Sequence, residues 1–136
     1  MEAMTLNNMW ELYETEFRKQ DSFVGLVHVM VEYENVQKYK DLITEGTALA
    51  VANMIHEYNN MLCICYAYKP QEMNFLCLIK DGQNPTSVQL NIEQQKQLEG
   101  FQIHVMGIQS KTDFKIHSQY FMSMKNNIIN PVYECK

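Results

Sequence analysis

Two kinds of hydrophobic spacing divide the chain into predicted helices and strands. Apolar residues recur every three or four positions between about Thr5 and Gln20, which predicts an amphipathic helix with Thr5 as its N-cap. Alternation over residues 23–31, with apolar residues also at the intervening positions, predicts a central strand buried on both faces. A second helical stripe follows Ser110 and Thr112, either of which offers a cap; it consists of Phe114, His117, Tyr120, Phe121, Met124 and Ile128.

The first half of the interior predicts one helix and a hairpin. The helix begins either at Asp41 or after Thr47, if Thr47 is the cap, and it ends near Tyr58. Residues 61–68 and 73–80 are two β-rich runs separated by a short, proline-containing segment, and this arrangement is typical of a β-hairpin.

The second half of the interior is predicted to alternate between strand and helix. Residues 86–90 are a candidate strand, and Asn91 is predicted to cap a short helix that ends at Glu99. Gly100 stands where a glycine commonly ends a helix. Residues 101–109 alternate again and predict another strand.

These elements together indicate the fold class α+β. We expect a mostly antiparallel sheet of about five strands, packed by N-terminal, central and C-terminal helices. A length of 136 residues, 46% of them hydrophobic, fits one domain spanning residues 1–136.

Charge narrows the expected partners. The chain has 16 acidic residues against 11 Lys and Arg, a formal net charge of −5, and Arg18 is its only arginine. Guanidinium groups commonly grip phosphates and read guanine, so this composition argues against a nucleic-acid partner. An acidic surface instead favours a basic protein as the partner.

The composition also bears on origin and compartment. The N-terminus carries Glu2 where a secretory signal has basic residues, and no apolar run approaches the roughly 20 residues that span a bilayer, so we expect no membrane association. Four Cys without a signal favour reduced thiols in the cytoplasm. Asn, Lys and Ile are abundant whereas Ala and Gly are scarce, which suggests an AT-rich gene, as in a mobile element, a phage, a low-GC bacterium or some protists.

Cysteines and one histidine offer a candidate for chemistry. Cys63 and Cys65 share one face of a strand, and a hairpin centred on Gln71 would place Cys77 opposite Cys65, with His104 as a fourth ligand. Buried Cys more often packs as a small hydrophobe, so a small-molecule sensor or enzyme at this cluster is an alternative, and neither a metal nor a cofactor is expected. The histidines within the strands are expected to be structural.

The common enzyme signatures are missing, so we expect no catalysis and no catalytic residues. The leading hypothesis is a small protein-binding domain, most concretely an inhibitor or immunity-type protein that neutralises a basic toxin or nuclease by direct contact; a homodimer remains open. The predicted partner-binding residues are acidic side chains and one aromatic anchor: Glu11, Glu14, Glu32, Tyr33, Glu34, Glu93 and Glu99.

One local segment resembles a known family. The last predicted helix followed by Asn130-Pro131-Val132-Tyr133-Glu134 resembles the end of the last helix in sedlin-type longin subunits of vesicle-tethering complexes, with Val132 in place of an aromatic residue. The resemblance covers about a sixth of the chain. It implies a second alternative, a longin- or roadblock-like adaptor subunit of a larger assembly.

Overall fold

Three helices, a 3₁₀ turn and five strands are the regular elements of the residues that the structure describes, apart from the helical residue Glu11. The computed structural model describes residue 11 and residues 25–33, 43–59, 63–79, 84–108, 110–124 and 126–128. In chain order the elements are β1 (Gly25–Tyr33), α1 (Glu45–Asn59), β2 (Cys63–Lys69), β3 (Glu72–Ile79), α2 (Pro85–Glu93), a 3₁₀ turn (Lys96–Leu98), β4 (Phe101–Ile108), α3 (Lys111–Met122) and β5 (Asn126–Ile128). The helix predicted over Thr5–Gln20 lies outside the described residues apart from Glu11, which is helical.

The strands form one sheet in the order β4-β1-β3-β2-β5, with every neighbouring pair antiparallel. The segment from β1 to β4 has the order βαββαβ, in which each helix connects two strands that flank a third, as in ferredoxin-like folds. The predicted α+β class and the mostly antiparallel sheet are confirmed. The sheet differs from the expected five strands in having four long strands and a fifth of only three residues.

One face of the sheet carries the main hydrophobic core beneath α1 and α2. Val27, Val29 and Val31 of β1 lie on this face, as the alternation within the strand requires. The sheet meets apolar residues of both helices there, and the buried members from those helices are Ala48, Val51, Ala52, Ile55, Val88 and Ile92.

The opposite face of the sheet packs against α3. Leu26 and His28 of β1 are buried on this side, which confirms the prediction of a strand covered on both faces. Phe114 and Phe121 are the buried apolar residues of α3 itself. Because α3 covers the polar side of β1 and β3, its inward residues meet polar partners as well as apolar ones.

The helix α2 replaces the strand predicted over residues 86–90, so that prediction is wrong. The Asn84 side chain accepts a hydrogen bond from the Ser87 N–H, the Ser87 hydroxyl accepts one from the Asn84 N–H, and Pro85 occupies the first turn. This capping box and proline start a helix, and they outweigh the β-branched residues that follow. Asn91 therefore lies inside α2 and caps no helix; its amide donates to the Asn59 side-chain oxygen at 3.1 Å.

The ends of the other two helices also differ from the prediction. The helix α1 starts at Glu45, and the Thr44 hydroxyl accepts from the Thr47 N–H, so the start lies between the two alternatives. Ser110 is the cap of α3, as one alternative had it, and its hydroxyl accepts from the Asp113 N–H. The helix ends at Met122, before Asn130-Pro131, which lies outside the described residues.

The hairpin β2–β3 is confirmed, but its register is shifted by one residue from the predicted one. Cys77 lies opposite Ile64, and Cys65 lies opposite Leu76. Because side chains alternate between faces, a shift of one residue places Cys65 and Cys77 on opposite sides of the sheet. The predicted cluster of thiols on one face is therefore wrong.

Candidate functional site

Five polar side chains meet where α3 crosses β1 and β3. They are His28, Glu72, Asn74, His117 and Tyr120, and we call them the Tyr120 cluster. Three of them, His28, Glu72 and Asn74, are buried in the sheet, whereas Tyr120 is 38% exposed. The cluster therefore connects a buried polar network with the protein surface at one hydroxyl group.

The backbone pattern explains why these residues meet. Glu72 and Asn74 are two apart on β3, so both lie on the face that α3 covers, while Met73 and Phe75 lie in the main core. His28 reaches that same face from the neighbouring strand β1. His117 and Tyr120 are three apart on α3, a spacing that places them on adjacent turns of one helix surface.

The hydrogen bonds of His28 and Asn74 have only one consistent direction. The Asn74 amide nitrogen donates to the Glu72 carboxylate at 3.1 Å, because a carboxylate only accepts. The Asn74 oxygen therefore faces His28, whose Nε2–H donates to it at 2.7 Å. The His28 Nδ1 must then accept, so the proton in the 2.8 Å contact between the two Nδ1 atoms belongs to His117.

Glu72 is the acceptor at the end of this chain. Its carboxylate receives Asn74, the Tyr120 hydroxyl and the Lys69 ammonium, and its side chain is 8% exposed. Burial alone raises the pKa of Glu72, but the hydrogen bonds from Lys69, Asn74 and Tyr120 outweigh it and the pKa falls below its ordinary value. Glu72 is therefore a buried carboxylate that is held ionised.

The Tyr120 hydroxyl lies 2.9 Å from both oxygens of Glu72 and donates its proton to them. Burial, together with the hydrogen bond to Glu72 and the nearby negative charge of Glu72 and Glu32, raises the pKa of Tyr120 to about 12. The phenol is therefore protonated at neutral pH and is aimed at an ionised carboxylate.

Both histidines of the cluster are neutral at neutral pH. Burial is the main cause that lowers the pKa of His28 to about 4; the hydrogen bond to Asn74 and the charge of Glu72 raise it, and His117 lowers it further. Burial also lowers the pKa of His117, against an opposing effect of Asp113. A neutral His28 leaves its Nδ1 free to accept in the 2.8 Å contact with His117.

None of the predicted partner-binding residues belongs to the Tyr120 cluster, although Glu32 lies opposite Glu72 in the sheet. Glu32 accepts from the exposed His104 at 3.1 Å, Glu93 accepts from Gln89 at 2.8 Å, and Glu99 is exposed. Glu11 is exposed on a helix. Glu14, Glu34 and the side chain of Tyr33 lie outside the described residues, and nothing in the structure tests these assignments as a partner-binding set.

The alternative site at Cys63, Cys65, Cys77 and His104 does not form. Cys65 and Cys77 are buried on opposite faces, and burial raises the pKa of the Cys77 thiol well above its ordinary value. His104 is bound to Glu32 instead, and the side chain of Cys63 is outside the described set. Among the residues that the structure describes, no group of three or more His, Cys, Asp and Glu side chains could hold a metal ion.

Comparisons with known proteins identify the fold. No protein-family model and no curated protein matches the chain. A solved structure of a REP-associated tyrosine transposase bound to a REP hairpin matches with a TM-score of 0.52 and 16% sequence identity. The match covers 78% of this chain and 69% of the transposase chain. The likeness is one of fold, and the transposase carries that fold in a complex with a REP hairpin.

This likeness corrects several expectations from the sequence. The inhibitor or immunity function, a protein as the partner, the exclusion of nucleic acid and the absence of catalysis are all contradicted, because the protein with this similar fold is a tyrosine transposase bound to a REP hairpin. The charge argument failed because net charge sums over the whole chain, whereas binding depends on the local field at the contact. In the described part of the chain no helix is long and apolar enough to cross a membrane.

Tyr120, Glu72 and Asn74 are not among the site residues predicted from the sequence. Glu72 and Asn74 occupy alternate positions at the start of a run that is otherwise apolar. Burying two polar side chains in a strand costs free energy unless they form hydrogen bonds, so this pattern could have marked them as site residues. Glu72 was assigned to the turn, which hid this pattern. His28 and His117 were noted individually, but only the register of β1 with β3 and the packing of α3 bring them together.

Proposed function

We propose that this protein binds a folded DNA strand, such as a hairpin, and cleaves it with Tyr120 as the nucleophile. The single observation that carries the proposal is the Tyr120 hydroxyl, partly exposed on α3 and 2.9 Å from both oxygens of the buried Glu72. The fold shared with a hairpin-bound tyrosine transposase supports DNA as the substrate.

The chemistry balances with these two residues. As the phenolic oxygen of Tyr120 forms a bond to phosphorus, one P–O bond of the phosphodiester breaks and the DNA becomes joined to the protein. The phenol proton passes to the Glu72 carboxylate, which already accepts it, and the leaving oxygen takes up another proton. Because the pKa of Tyr120 is about 12, this transfer accompanies the attack and does not precede it.

Lys69 supports both the acid–base chemistry and the contact with DNA. Its ammonium pairs with Glu72, and its side chain is 47% exposed at the end of β2. An approaching phosphate would therefore meet a cation beside the Tyr120 hydroxyl, which is where negative charge develops during the attack.

The test is a covalent-adduct assay with synthetic DNA hairpins that carry single-stranded tails, each strand labelled at both ends, with and without Mg²⁺. We expect the wild-type protein to form a complex that survives denaturing electrophoresis, and Tyr120→Phe to form none while still shifting the hairpin in a native gel. Tyr58→Phe is the matched control, because Tyr58 is 53% exposed on α1. Adduct formation by Tyr120→Phe, or no binding of any hairpin by the wild type, would overturn the proposal.

The cytoplasm is the compartment we assign to this activity, because Cys65 and Cys77 form no disulfide and both are buried thiols. We also propose that residues 1–136 belong to a single domain.

A further inference from the structure

His28 and His117 differ in how their ring nitrogens are engaged. His28 uses both: Nε2 donates to Asn74 at 2.7 Å, and Nδ1 accepts from His117 at 2.8 Å. His117 uses only Nδ1 within the described residues, and it donates from that atom. Its Nε2 therefore carries a lone pair, and no described side chain donates a hydrogen bond to that nitrogen.

The direction of the hydrogen-bond chain fixes this arrangement. The Glu72 carboxylate orients the Asn74 amide, Asn74 orients the His28 ring, and His28 in turn holds the proton of His117 at Nδ1. In free imidazole the proton is shared between two tautomers, but here only the form with a bare Nε2 on His117 satisfies the chain.

The same geometry accommodates a proton on that nitrogen. A charged His117 keeps its Nδ1–H bond to the His28 lone pair, so the contact survives both protonation states of His117. A charged His28 would keep the contact only if His117 moved its own proton from Nδ1 to Nε2. His117 is therefore the member of the pair that can gain and lose a proton while both rings keep their tautomers.

His117 also stands close to the proposed nucleophile. It precedes Tyr120 by three residues on α3, which places the two side chains on neighbouring turns of one surface, and it is only partly buried. The other titratable groups around it have fixed roles: Glu72 and Lys69 pair with each other, Glu32 pairs with His104, and Asp113 lies one turn earlier on α3.

We infer that His117 Nε2 is the second proton-handling group of the site and protonates the oxygen that leaves phosphorus when Tyr120 attacks. This role rests on the proposed strand cleavage. Before the forward step His117 takes a proton from solvent at Nε2, so that both of its ring nitrogens are protonated. In the forward step the Tyr120 oxygen bonds to phosphorus, its proton passes to Glu72, the P–O bond breaks, and the Nε2 proton moves to the leaving oxygen. In the reverse step the attacking hydroxyl bonds to phosphorus as the neutral Nε2 takes its proton. The bond between Tyr120 and phosphorus breaks, Glu72 returns the proton to the Tyr120 oxygen, and the DNA strand is rejoined.

The decisive variant is His117→Asn, because the Asn amide can donate to His28 as the imidazole Nδ1–H does but cannot release a proton. We expect the rate of adduct formation on an ordinary hairpin to fall about 100-fold. A hairpin with sulfur in place of the leaving oxygen needs no protonation, because a thiolate leaves readily. On that substrate, made in both the 3′ and the 5′ bridging forms, the variant should match the wild type within about threefold.

Two controls separate this role from a structural one. His104→Asn removes an exposed histidine that contacts only Glu32 among described side chains, and it should leave both rates unchanged. The wild-type rate on the ordinary hairpin should fall as the pH rises through the pKa of His117, and this limb should be absent in His117→Asn. Equal rates for variant and wild type on the ordinary hairpin, or an equal defect on the sulfur hairpin, would refute the role while leaving Tyr120 cleavage intact.

A measurement without DNA tests the tautomer directly. Nitrogen-15 NMR of the wild-type protein at neutral pH should show His117 protonated at Nδ1 and bare at Nε2, and His28 protonated at Nε2. A proton on Nε2 of His117 in the neutral form would overturn the inference whether or not the protein cleaves DNA. A wild-type protein that forms no adduct with any hairpin would instead remove the proposed function, and the role of His117 with it.

Discussion

The Tyr120 hydroxyl donates to the Glu72 carboxylate across the gap between α3 and β3, and it lies 2.9 Å from each carboxylate oxygen. The pair is asymmetric, since one partner is held ionised and the other is held protonated. The ionised state of Glu72 depends at this depth on its hydrogen-bond donors, of which Tyr120 is one. The Tyr120–Glu72 contact therefore attaches α3 to the sheet and also prepares the hydroxyl for attack.

Replacing Glu72 tests both roles of this contact. In Glu72→Gln the side chain keeps its shape but loses its charge, so we expect the pKa of Tyr120 to fall from about 12 by roughly one unit, because the carboxylate contributes to the shift. The ring carbon bearing the hydroxyl reports this pKa by carbon-13 NMR, with Tyr120→Phe used for assignment. Adduct formation on the DNA hairpin should fall about 100-fold.

The matched control for that variant is Glu93→Gln, an exposed carboxylate at the end of α2. It should change neither the Tyr120 titration nor the adduct rate. An unshifted Tyr120 resonance in Glu72→Gln would show that the contact does not exist in solution.

His28 makes the protein less stable in mild acid. Its pKa is about 4 in the folded state and 6.5 in the unfolded state, so below pH 6.5 the unfolded chain binds a proton that the folded chain refuses. The contribution is complete above about pH 6.5 and is lost as the pH falls to about 4. The shift corresponds to about 3 kcal/mol, measured as the decrease in the free energy of unfolding by urea titration across that range.

His28→Gln separates this limb from the other acid-sensitive groups. A glutamine can donate to Asn74 and accept from His117 but does not titrate, so the decrease between pH 6.5 and 4 should shrink to the smaller part contributed by His117. The loss below pH 4.5 should remain, because Glu72 also has a lowered pKa and loses its stabilising charge there. An unchanged pH profile in His28→Gln would mean that another group causes the acid sensitivity.

Asn74 is predicted to be the most costly polar residue to remove. Asn74→Ala leaves the His28 Nε2–H without its partner inside the protein and removes one of the donors to Glu72, and such losses cost about 2–3 kcal/mol of unfolding free energy. Asn84→Ala, which removes only the exposed cap of α2, should cost about 1 kcal/mol. Urea unfolding of the two variants side by side checks the order, and a smaller loss for Asn74→Ala would contradict the buried network.

Two glycines should respond in opposite directions to the same substitution. Gly100 has a φ of +88°, which alanine adopts poorly, so Gly100→Ala should cost about 1 kcal/mol even though its side chain would meet open space. Gly46 lies in α1, where an added methyl group makes only ordinary contacts, so Gly46→Ala should stabilise by about 0.5–1 kcal/mol. Thermal unfolding measures both changes, and equal signs would contradict the conformation at Gly100.

Much of the sheet could be predicted from local pattern, because burial on both faces and the hairpin spacing are written into neighbouring residues. β1 and the hairpin β2–β3 were found within about two residues of their predicted positions. α2 was missed because its β-branched residues favour a strand, while the signal for a helix lies in a cap that only Asn84, Pro85 and Ser87 together make.

The Tyr120 cluster could not be assembled from the sequence for a different reason. His28 is 46 positions from Asn74 and 89 positions from His117 along the chain, so only strand register and helix docking bring the three together. The predicted hairpin register is wrong by one residue, and that error alone placed Cys65 and Cys77 on one face as a candidate site.

The division of β3 between two faces also protects the fold against mispairing. If β3 slid by one residue along β1, Glu72 and Asn74 would enter the main core beside Val29 and Val31, and Met73 and Phe75 would take their places under α3. A slipped sheet would thus bury an ionised carboxylate in hydrocarbon and leave the two imidazoles facing a methionine and a phenyl ring. The residues proposed to process DNA therefore also disfavour the wrong register while the strands of this sheet pair during folding.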